Sequence, residues 1–198
     1  AGGIIGMISA KGSNTLDFTI RGCSNSGNID RRTEVASYAG RNSFGGGIIG
    51  GMGKSHSISG YDVFENALIE DCTNSGQVIF NQFKGFETFI EKTTNNSFCG
   101  GIVGCTRSSK NKVIVKNCSN SGNILSTSGF DGGIVGMMAQ HTVICGEKTA
   151  EGIRYCTNTG CVGKVSEDDS PATLGSGYLI SGGIAGRAQK RAPCGRLA

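Results

Sequence analysis

One short phrase, a glycine pair followed by isoleucine, a second apolar residue and another glycine, occurs five times in this chain. Its copies begin at Gly2, Gly46, Gly100, Gly132 and Gly182. A second phrase, Cys-(Ser/Thr)-Asn-(Ser/Thr)-Gly, lies between successive copies of the first, at residues 23–27, 72–76, 118–122 and 156–160. Repetition of this kind is typical of repeat architectures, in which each unit packs only against its neighbours. The sequence therefore predicts an extended array and not one globular core.

Both phrases predict strands and turns. Side chains alternate between the two faces of a strand, so the Cys, Asn and Gly of the second phrase share one face and its Ser and Thr residues share the other. The isoleucine of the glycine phrase, with the Ile, Val or Ala that follows it, predicts a short buried strand. We expect an all-β chain folded as a parallel β-helix, or β-solenoid. A helix is possible only locally, for instance at 63–71, where the apolar spacing suits either a strand or a helix.

The repeats differ in length, because successive glycine phrases begin 44, 54, 32 and 50 residues apart. Such variation indicates a constant core interrupted by loops, in which Gly, Ser, Thr, Asn and charged residues collect. These loops are predicted at 51–66, 81–98, 137–152 and 163–181. Because 32–54 residues is a long unit, we expect about two coils per repeat. We assign residues 1–186 to a single solenoid array, with repeats beginning near 2, 46, 100, 132 and 182, and residues 187–198 to a basic tail.

The second phrase also predicts ladders of identical side chains inside the solenoid. Asn tolerates left-handed backbone and bonds neighbouring backbone groups at turns. When identical turns stack at the strand spacing of roughly 4.7–4.9 Å, the amide of one Asn can donate to the next. We expect the glycine that follows to adopt a positive φ. The structural ladder residues are Cys23, Cys72, Cys118, Cys156, Asn25, Asn74, Asn120, Asn158, Gly27, Gly76, Gly122 and Gly160.

Nine cysteines raise the question of disulfides. With two coils per repeat, the ladder cysteines would lie about 9–10 Å apart on the strand spacing, beyond the ~7 Å Cα limit for a bridge. We therefore expect them to be unbridged. An isolated bridge stays open around Cys99 and Cys105 or around Cys156 and Cys161. No zinc site is expected, because the chain has no Cys-x-x-Cys pair and only two histidines.

The alternation of GGI(V/I)G with (N/D)C(S/T)N(S/T)G(N/Q)(I/V) resembles the GLUG-type repeats of bacterial cell-surface proteins. These include adhesin-like proteins and non-catalytic regions of immunoglobulin-A-cleaving metallopeptidases. The resemblance covers nearly all of residues 2–186, although isoleucine, and never leucine, follows the glycine pair here. It implies an extracellular, right-handed β-solenoid used as a stalk or contact surface.

Charge and motif content argue against several other functions. The net charge is +4, and the last segment carries four basic residues and no acid, namely Arg187, Lys190, Arg191 and Arg196. The repeat body is then neutral, so we expect no nucleic-acid binding. No apolar run approaches the ~18 residues of a membrane span, so no membrane insertion is expected. Gly53-Lys54-Ser55 resembles the end of a phosphate-binding loop, but Ile48 occupies the position of the required first glycine. No cofactor is expected.

The leading hypothesis is a non-enzymatic extracellular repeat protein that serves as a structural stalk or adhesive surface. Its partners would be other segments of a longer chain or copies of itself, together with host or surface glycans and proteins. Open strand edges would also allow end-to-end assembly into filaments. The alternative is a carbohydrate-binding or polysaccharide-cleaving β-helix protein. Acids cluster at Asp62, Glu65, Glu70 and Asp71, but no repeated basic residue accompanies them.

Overall fold

A computed structural model describes ten stretches of the chain, namely residues 1–8, 16–32, 43–52, 64–81, 97–106, 112–126, 129–138, 141–165, 171–172 and 179–188. These stretches contain 24 β-strands and no helix. Most strand pairs are parallel and join one repeat to the next. The predicted all-β parallel β-helix is therefore confirmed.

The strands follow one another in coils around the solenoid axis. The first coil contains β1 (Ile5–Ile8), β2 (Leu16–Arg21), β3 (Ser24–Asn25) and β4 (Ile29–Arg32). The second contains β5 (Ser43–Gly46), β6 (Ile49–Met52), β7 (Phe64–Glu70), β8 (Thr73–Asn74) and β9 (Val78–Asn81). The third contains β10 (Ser97–Gly100), β11 (Val103–Thr106), β12 (Lys112–Lys116), β13 (Ser119–Asn120) and β14 (Ile124–Ser126).

The fourth coil carries an insertion. It contains β15 (Gly129–Gly132), β16 (Val135–Met138), β17 (Thr142–Cys145), β18 (Glu147–Thr149), β19 (Gly152–Arg154), β20 (Thr157–Asn158), β21 (Val162–Val165) and β22 (Pro171–Ala172). Strands β18 and β19 form an antiparallel hairpin, and β22 pairs antiparallel with β21. The fifth coil contains β23 (Leu179–Gly182) and β24 (Ala185–Ala188).

Equivalent strands of successive coils stack into five sheets. Sheet A is β5-β10-β15-β23, and sheet B is β1-β6-β11-β16-β24. Sheet C is β2-β7-β12-β17, sheet D is β3-β8-β13-β20, and sheet E is β4-β9-β14-β21-β22. The pairing is in register, so that Phe98 of β10 lies between Phe44 and Phe130. Each repeat is therefore hydrogen-bonded directly to the next.

The expectation of two coils per repeat is wrong, because this register gives one coil per repeat. The shortest repeat shows the reason. In the 32 residues from Gly101 to Gly132, the described part of the chain contains one strand of each sheet, β11 to β15. A coil with five sides thus needs about one whole repeat. The handedness implied by the family resemblance stays a prediction.

The interior holds the isoleucine of the three central glycine phrases together with the inward residues of sheets B and C. In the central coils, Ile48, Ile102 and Ile134 are fully buried, and so are Ile69 and Val115. Within the segment 63–71, which also suited a helix, residues 64–70 form strand β7, which pairs in parallel with β2 and β12. The predicted loop at 137–152 instead contains β17 and part of the hairpin.

Candidate functional site

The four ladder cysteines line one inner edge of the coil stack. Cys72 and Cys118 are fully buried in the main core, while Cys23 and Cys156 pack against it at the outer coils. The backbone amide of Cys118 donates to Cys156 Sγ across 3.3 Å. Hydrogen bonds with the neighbouring thiols of Cys156 and Cys72, together with burial, raise the pKa of Cys118. Hydrogen bonds with Cys118 conversely lower the pKa of Cys72 and of Cys156 to about 7. The row therefore packs against the apolar core as a chain of hydrogen-bonded thiols.

No cysteine in the described stretches, including Cys99, Cys105 and Cys161, is bridged in a disulfide. The ladder cysteines are unbridged, as expected, but the reason given for this was wrong. With one coil per repeat they are one strand spacing apart, roughly 4.8 Å, which lies within the Cα range of a disulfide. Cys99 and Cys105 belong to different apolar clusters.

The four ladder asparagines form a continuous row of side-chain hydrogen bonds. Asn25 Nδ2 donates to Asn74 Oδ1 at 2.8 Å, Asn74 donates to Asn120 at 2.7 Å, and Asn120 donates to Asn158 at 2.7 Å. Each Nδ2 also donates to the carbonyl oxygen of the glycine two residues later in its own turn. One amide thus closes the local turn and joins two coils. The row has a direction, because every donor points toward the next coil.

The ladder glycines allow close approach between coils. A methyl group on Gly76, Gly122 or Gly160 would collide with the carbonyl oxygen of the equivalent glycine one coil earlier. The expectation of a positive φ at these glycines is wrong. Among the described residues, the left-handed turn of this corner falls just before the ladder cysteine, at Gly22 (φ 63°), Asp71 (φ 52°) and Asn117 (φ 52°). Glycine, Asp and Asn tolerate that conformation best. The Gly, Asp or Asn directly before the ladder cysteine is therefore the signal that sequence reasoning missed.

A row of alternating charges runs along the outside of sheet C. Arg21 Nε donates to Glu70 Oε1, and Lys116 Nζ lies 3.2 Å from both Glu70 Oε2 and Glu147 Oε2. We call Arg21, Glu70, Lys116 and Glu147 the charge row. Hydrogen bonds from Arg21 and Lys116 hold the pKa of Glu70 below its usual value. Hydrogen bonds to Glu147 and Glu70 raise the pKa of Lys116.

The hairpin β18–β19 lies against this same flank. Its Arg154 bonds Asp71 Oδ1 at 2.9 Å, and its Glu147 accepts from Asn117 Nδ2 at 3.2 Å. These contacts reach back to the second and third coils. The side chains of Ile153 and Tyr155 are 55% and 60% exposed. The hairpin therefore presents apolar groups outward while its charged groups bind the stack.

A polar group is enclosed inside the third and fourth coils. Asp131 is fully buried, and its Oδ2 accepts a hydrogen bond from Ser126 Oγ at 2.6 Å. Within the described stretches, Asp131 Oδ1 and Ser97 Oγ have no hydrogen-bond partner. Burial raises the pKa of Asp131 to about 8, against the lowering effect of Ser126 and Cys99. This carboxyl is therefore largely protonated at neutral pH.

Only two of the four acids that cluster in the sequence have side chains that the structure describes. Glu70 and Asp71 are bound in the ion pairs above, Asp62 lies outside the described residues, and the side chain of Glu65 is likewise not described. The stretches that the structure describes contain no group of three or more His, Cys, Asp or Glu side chains able to hold a metal ion. They also contain no helix long and apolar enough to cross a membrane.

No family model matches this chain, and neither the curated proteins nor the solved structures contain a match. The resemblance to GLUG-type repeats therefore stays a prediction.

Proposed function

We propose that this chain is a non-enzymatic segment of an extracellular repeat protein, a stalk whose sides form a contact surface. The observation that carries the proposal is the continuity between coils. The same asparagine bond joins every coil from Asn25 to Asn158, and the backbone of each glycine phrase repeats its own bonds from coil to coil. A stack held by identical nearest-neighbour contacts is suited to spanning distance.

The flank of sheet C is the part of the stalk best suited to contact. Its outward row contains Leu68, Ile114 and Val143, which are in register on adjacent strands. Val143 is 42% exposed, and Ile153 and Tyr155 of the hairpin are more exposed still. An amphipathic ring such as that of Tyr155 favours interfaces where one end is apolar and the other wet. We therefore propose surface glycans or proteins as partners. The extracellular location rests on the family resemblance.

The alternative, a polysaccharide-cleaving solenoid, requires a carboxyl that protonates the leaving oxygen and therefore has a raised pKa. On the sheet C flank the pKa of Glu70 is instead lowered by Arg21 and Lys116. Asp131 does have a raised pKa, but it is fully buried and contacts Ser126 within the core. These contacts favour a structural role for both acids.

Incubation of the purified chain with neutral and acidic polysaccharides tests both readings. We expect no new reducing ends, and we expect binding to some of the glycans or to immobilised surface proteins. Tyr155→Ala should weaken that binding, whereas Ser26→Ala, at an exposed serine of the first coil, should not. Release of reducing ends would overturn the non-enzymatic assignment. Absence of all binding would overturn the contact surface and leave the stalk.

A further inference from the structure

We infer that neighbouring sulfurs of the cysteine ladder bind a soft monovalent cation of the copper(I) class between them. The best-defined place is the gap between Cys72 Sγ and Cys118 Sγ. Both thiols are fully buried in the main core. They belong to the second and third coils, and strands β3 and β20 of sheet D stack on either side of these coils. The gap is separate from the proposed contact surface, which lies on the outside of the stack.

The two sulfurs make the same contacts, one coil apart. Each Sγ lies 3.3 Å from the carbonyl oxygen two residues earlier and 3.7 Å from a carbonyl oxygen of the preceding coil. These two acceptors are Glu70 and Ile20 for Cys72, and Lys116 and Ile69 for Cys118. The equivalent acceptors are paired in register on adjacent strands. The sulfurs are therefore separated by about one strand spacing, roughly 4.7–4.9 Å.

This separation fits a bound metal ion better than a disulfide. An S–S bond is about 2.05 Å long, so a bridge would require both side chains to leave the positions they hold against the carbonyl groups. Two metal–thiolate bonds in line, each about 2.3 Å as for zinc, span about 4.6 Å. The spacing of the coils thus holds two sulfurs at the ends of a linear sulfur–metal–sulfur unit.

The ligands select the class of cation. Thiolate sulfur is a soft ligand that favours copper(I), and copper(I) and silver(I) are satisfied by two sulfurs in line. Zinc is usually bound by four ligands, and calcium and magnesium prefer oxygen. Within the described stretches, no three His, Cys, Asp or Glu side chains are grouped for such ions. A stacked pair of thiolates therefore suits a soft monovalent ion.

The surroundings of the gap also favour a cation. Ile69 belongs to the same coil as Cys72, yet its carbonyl oxygen accepts from Cys118 Sγ of the next coil. This oxygen therefore lies between the levels of the two sulfurs, and its negative dipole end attracts a positive ion. The side chains of Ile69 and Val115 belong to the same buried apolar cluster as the two thiols. Because this cluster excludes water, the attraction between the cation and the thiolates is strengthened.

Binding exchanges protons for the metal without oxidation or reduction. Cys72 and Cys118 each release the S–H proton to solvent, and each sulfur then forms one bond to the ion. Two thiols and one monovalent cation thus give one complex of charge −1 and two protons. Because both sulfurs are buried, the ion enters when the coils are open and is enclosed as they stack.

Silver(I) is a suitable probe, because it is a soft monovalent cation that air does not oxidise. One equivalent of silver nitrate is added to the reduced chain during refolding from urea, in a buffer free of chloride and reductant. We expect one silver ion on the folded chain by native mass spectrometry, and a melting temperature raised by several degrees. X-ray absorption should show two sulfur neighbours around silver and no nitrogen or oxygen neighbour. An unchanged or lowered melting temperature would overturn the inference.

Two double variants locate the ion. Cys72→Ser/Cys118→Ser leaves the ladder without two adjacent thiols and should lose both the rise in melting temperature and the two-sulfur signal. Cys99→Ser/Cys105→Ser is the matched control, because it also removes two buried thiols, which lie in different apolar clusters. This control should keep both effects. A ladder variant that responds to silver like the wild type would overturn the inference.

Anomalous X-ray diffraction from silver-loaded crystals of the wild type decides the question even where a double variant fails to fold. A peak between two ladder sulfurs is the expected result. A peak elsewhere, or no peak, would contradict the proposed site. Neither result bears on the proposed stalk, because the coils stack through bonds that the ion does not make.

Discussion

Asn74 and Asn120 are 46 residues apart in the chain, yet the amide of the first donates to the side-chain oxygen of the second across 2.7 Å. Asn120 in turn donates both to Asn158 and to the carbonyl oxygen of Gly122. A single residue type at one place in the repeat therefore closes each turn and fixes the register of the whole stack.

The first prediction concerns this row. Asn120→Ala should lower the free energy of unfolding by about 2–4 kcal/mol, because buried partners on both sides lose a hydrogen bond. Asn25→Ala, at the half-buried first end of the row, should cost less, because only one neighbouring side chain, that of Asn74, loses its partner. Urea denaturation of both variants gives the comparison. Equal effects would argue against a cooperative ladder.

Close approach between coils gives a second prediction. Gly122→Ala should be strongly destabilising, by about 3 kcal/mol or more, because its methyl group would collide with the backbone of Gly76. Gly27→Ala is the matched control in the same phrase, since its nearest contact would be Asn25 Oδ1 at 3.6 Å. Thermal unfolding distinguishes the two. A tolerated Gly122→Ala would contradict the in-register stacking of these turns.

The enclosed carboxyl predicts a loss of stability toward alkaline pH. The pKa of Asp131 is about 8 in the fold and about 3.9 in an unfolded chain. Because the pKa is raised on folding, the stabilising effect is complete below pH 4 and is lost as the pH rises to 8. The loss is on the order of a few kcal/mol. Asp131→Asn should flatten unfolding free energies measured from pH 4 to pH 9. An equally steep slope in this variant would exclude Asp131 as the cause.

The charge row predicts the opposite behaviour in acid. The pKa of Glu70 is lowered in the fold by Arg21 and Lys116. The ionised Glu70 therefore stabilises the fold above its unfolded pKa of about 4.3, and this stabilisation is lost as the pH falls below that value. Glu70→Gln should cost about 1–3 kcal/mol at pH 7 and remove part of the acid sensitivity. Glu151→Gln, at an exposed hairpin turn, should change neither quantity. Comparable losses in the two variants would show that Glu70 gains nothing from its ion pairs.

Thiol labelling tests the burial of the cysteine ladder. Cys161 is exposed, whereas Cys72 and Cys118 are fully buried. Because alkylation requires an accessible thiolate, iodoacetamide should modify Cys161 in the native protein and reach Cys72 and Cys118 only on unfolding. Mass spectrometry of peptides after timed quenching measures this order. Early labelling of Cys118 would place it outside the core.

The repeated phrases were sufficient to predict the parallel β-helix and the inward direction of residues such as Cys118 and Asn120. Alternation in a strand determines which side chains share a face, and that information is local. The number of coils per repeat was not predictable in this way, because it depends on how many sides a coil has. The turn chemistry was also misplaced, since Asp71 and Asn117 carry the positive φ expected at the ladder glycines.

The flank of sheet C was largely beyond sequence reasoning. Glu70 and Lys116 are 46 residues apart, and Glu147 reaches them through a hairpin inserted into the fourth coil. Their proximity follows from the register of the stack, which only the folded chain fixes. Asp131 was missed for the same reason, because an isolated acid in the sequence does not reveal its burial.

The separation between the Cα atoms of Asn74 and Asn120 in a crystal structure tests the stacking of one repeat per coil most directly. In-register stacking of adjacent coils predicts a distance of about 4.8 Å, with the two side chains hydrogen-bonded. A distance of about 9–10 Å, with another strand between them, would contradict it.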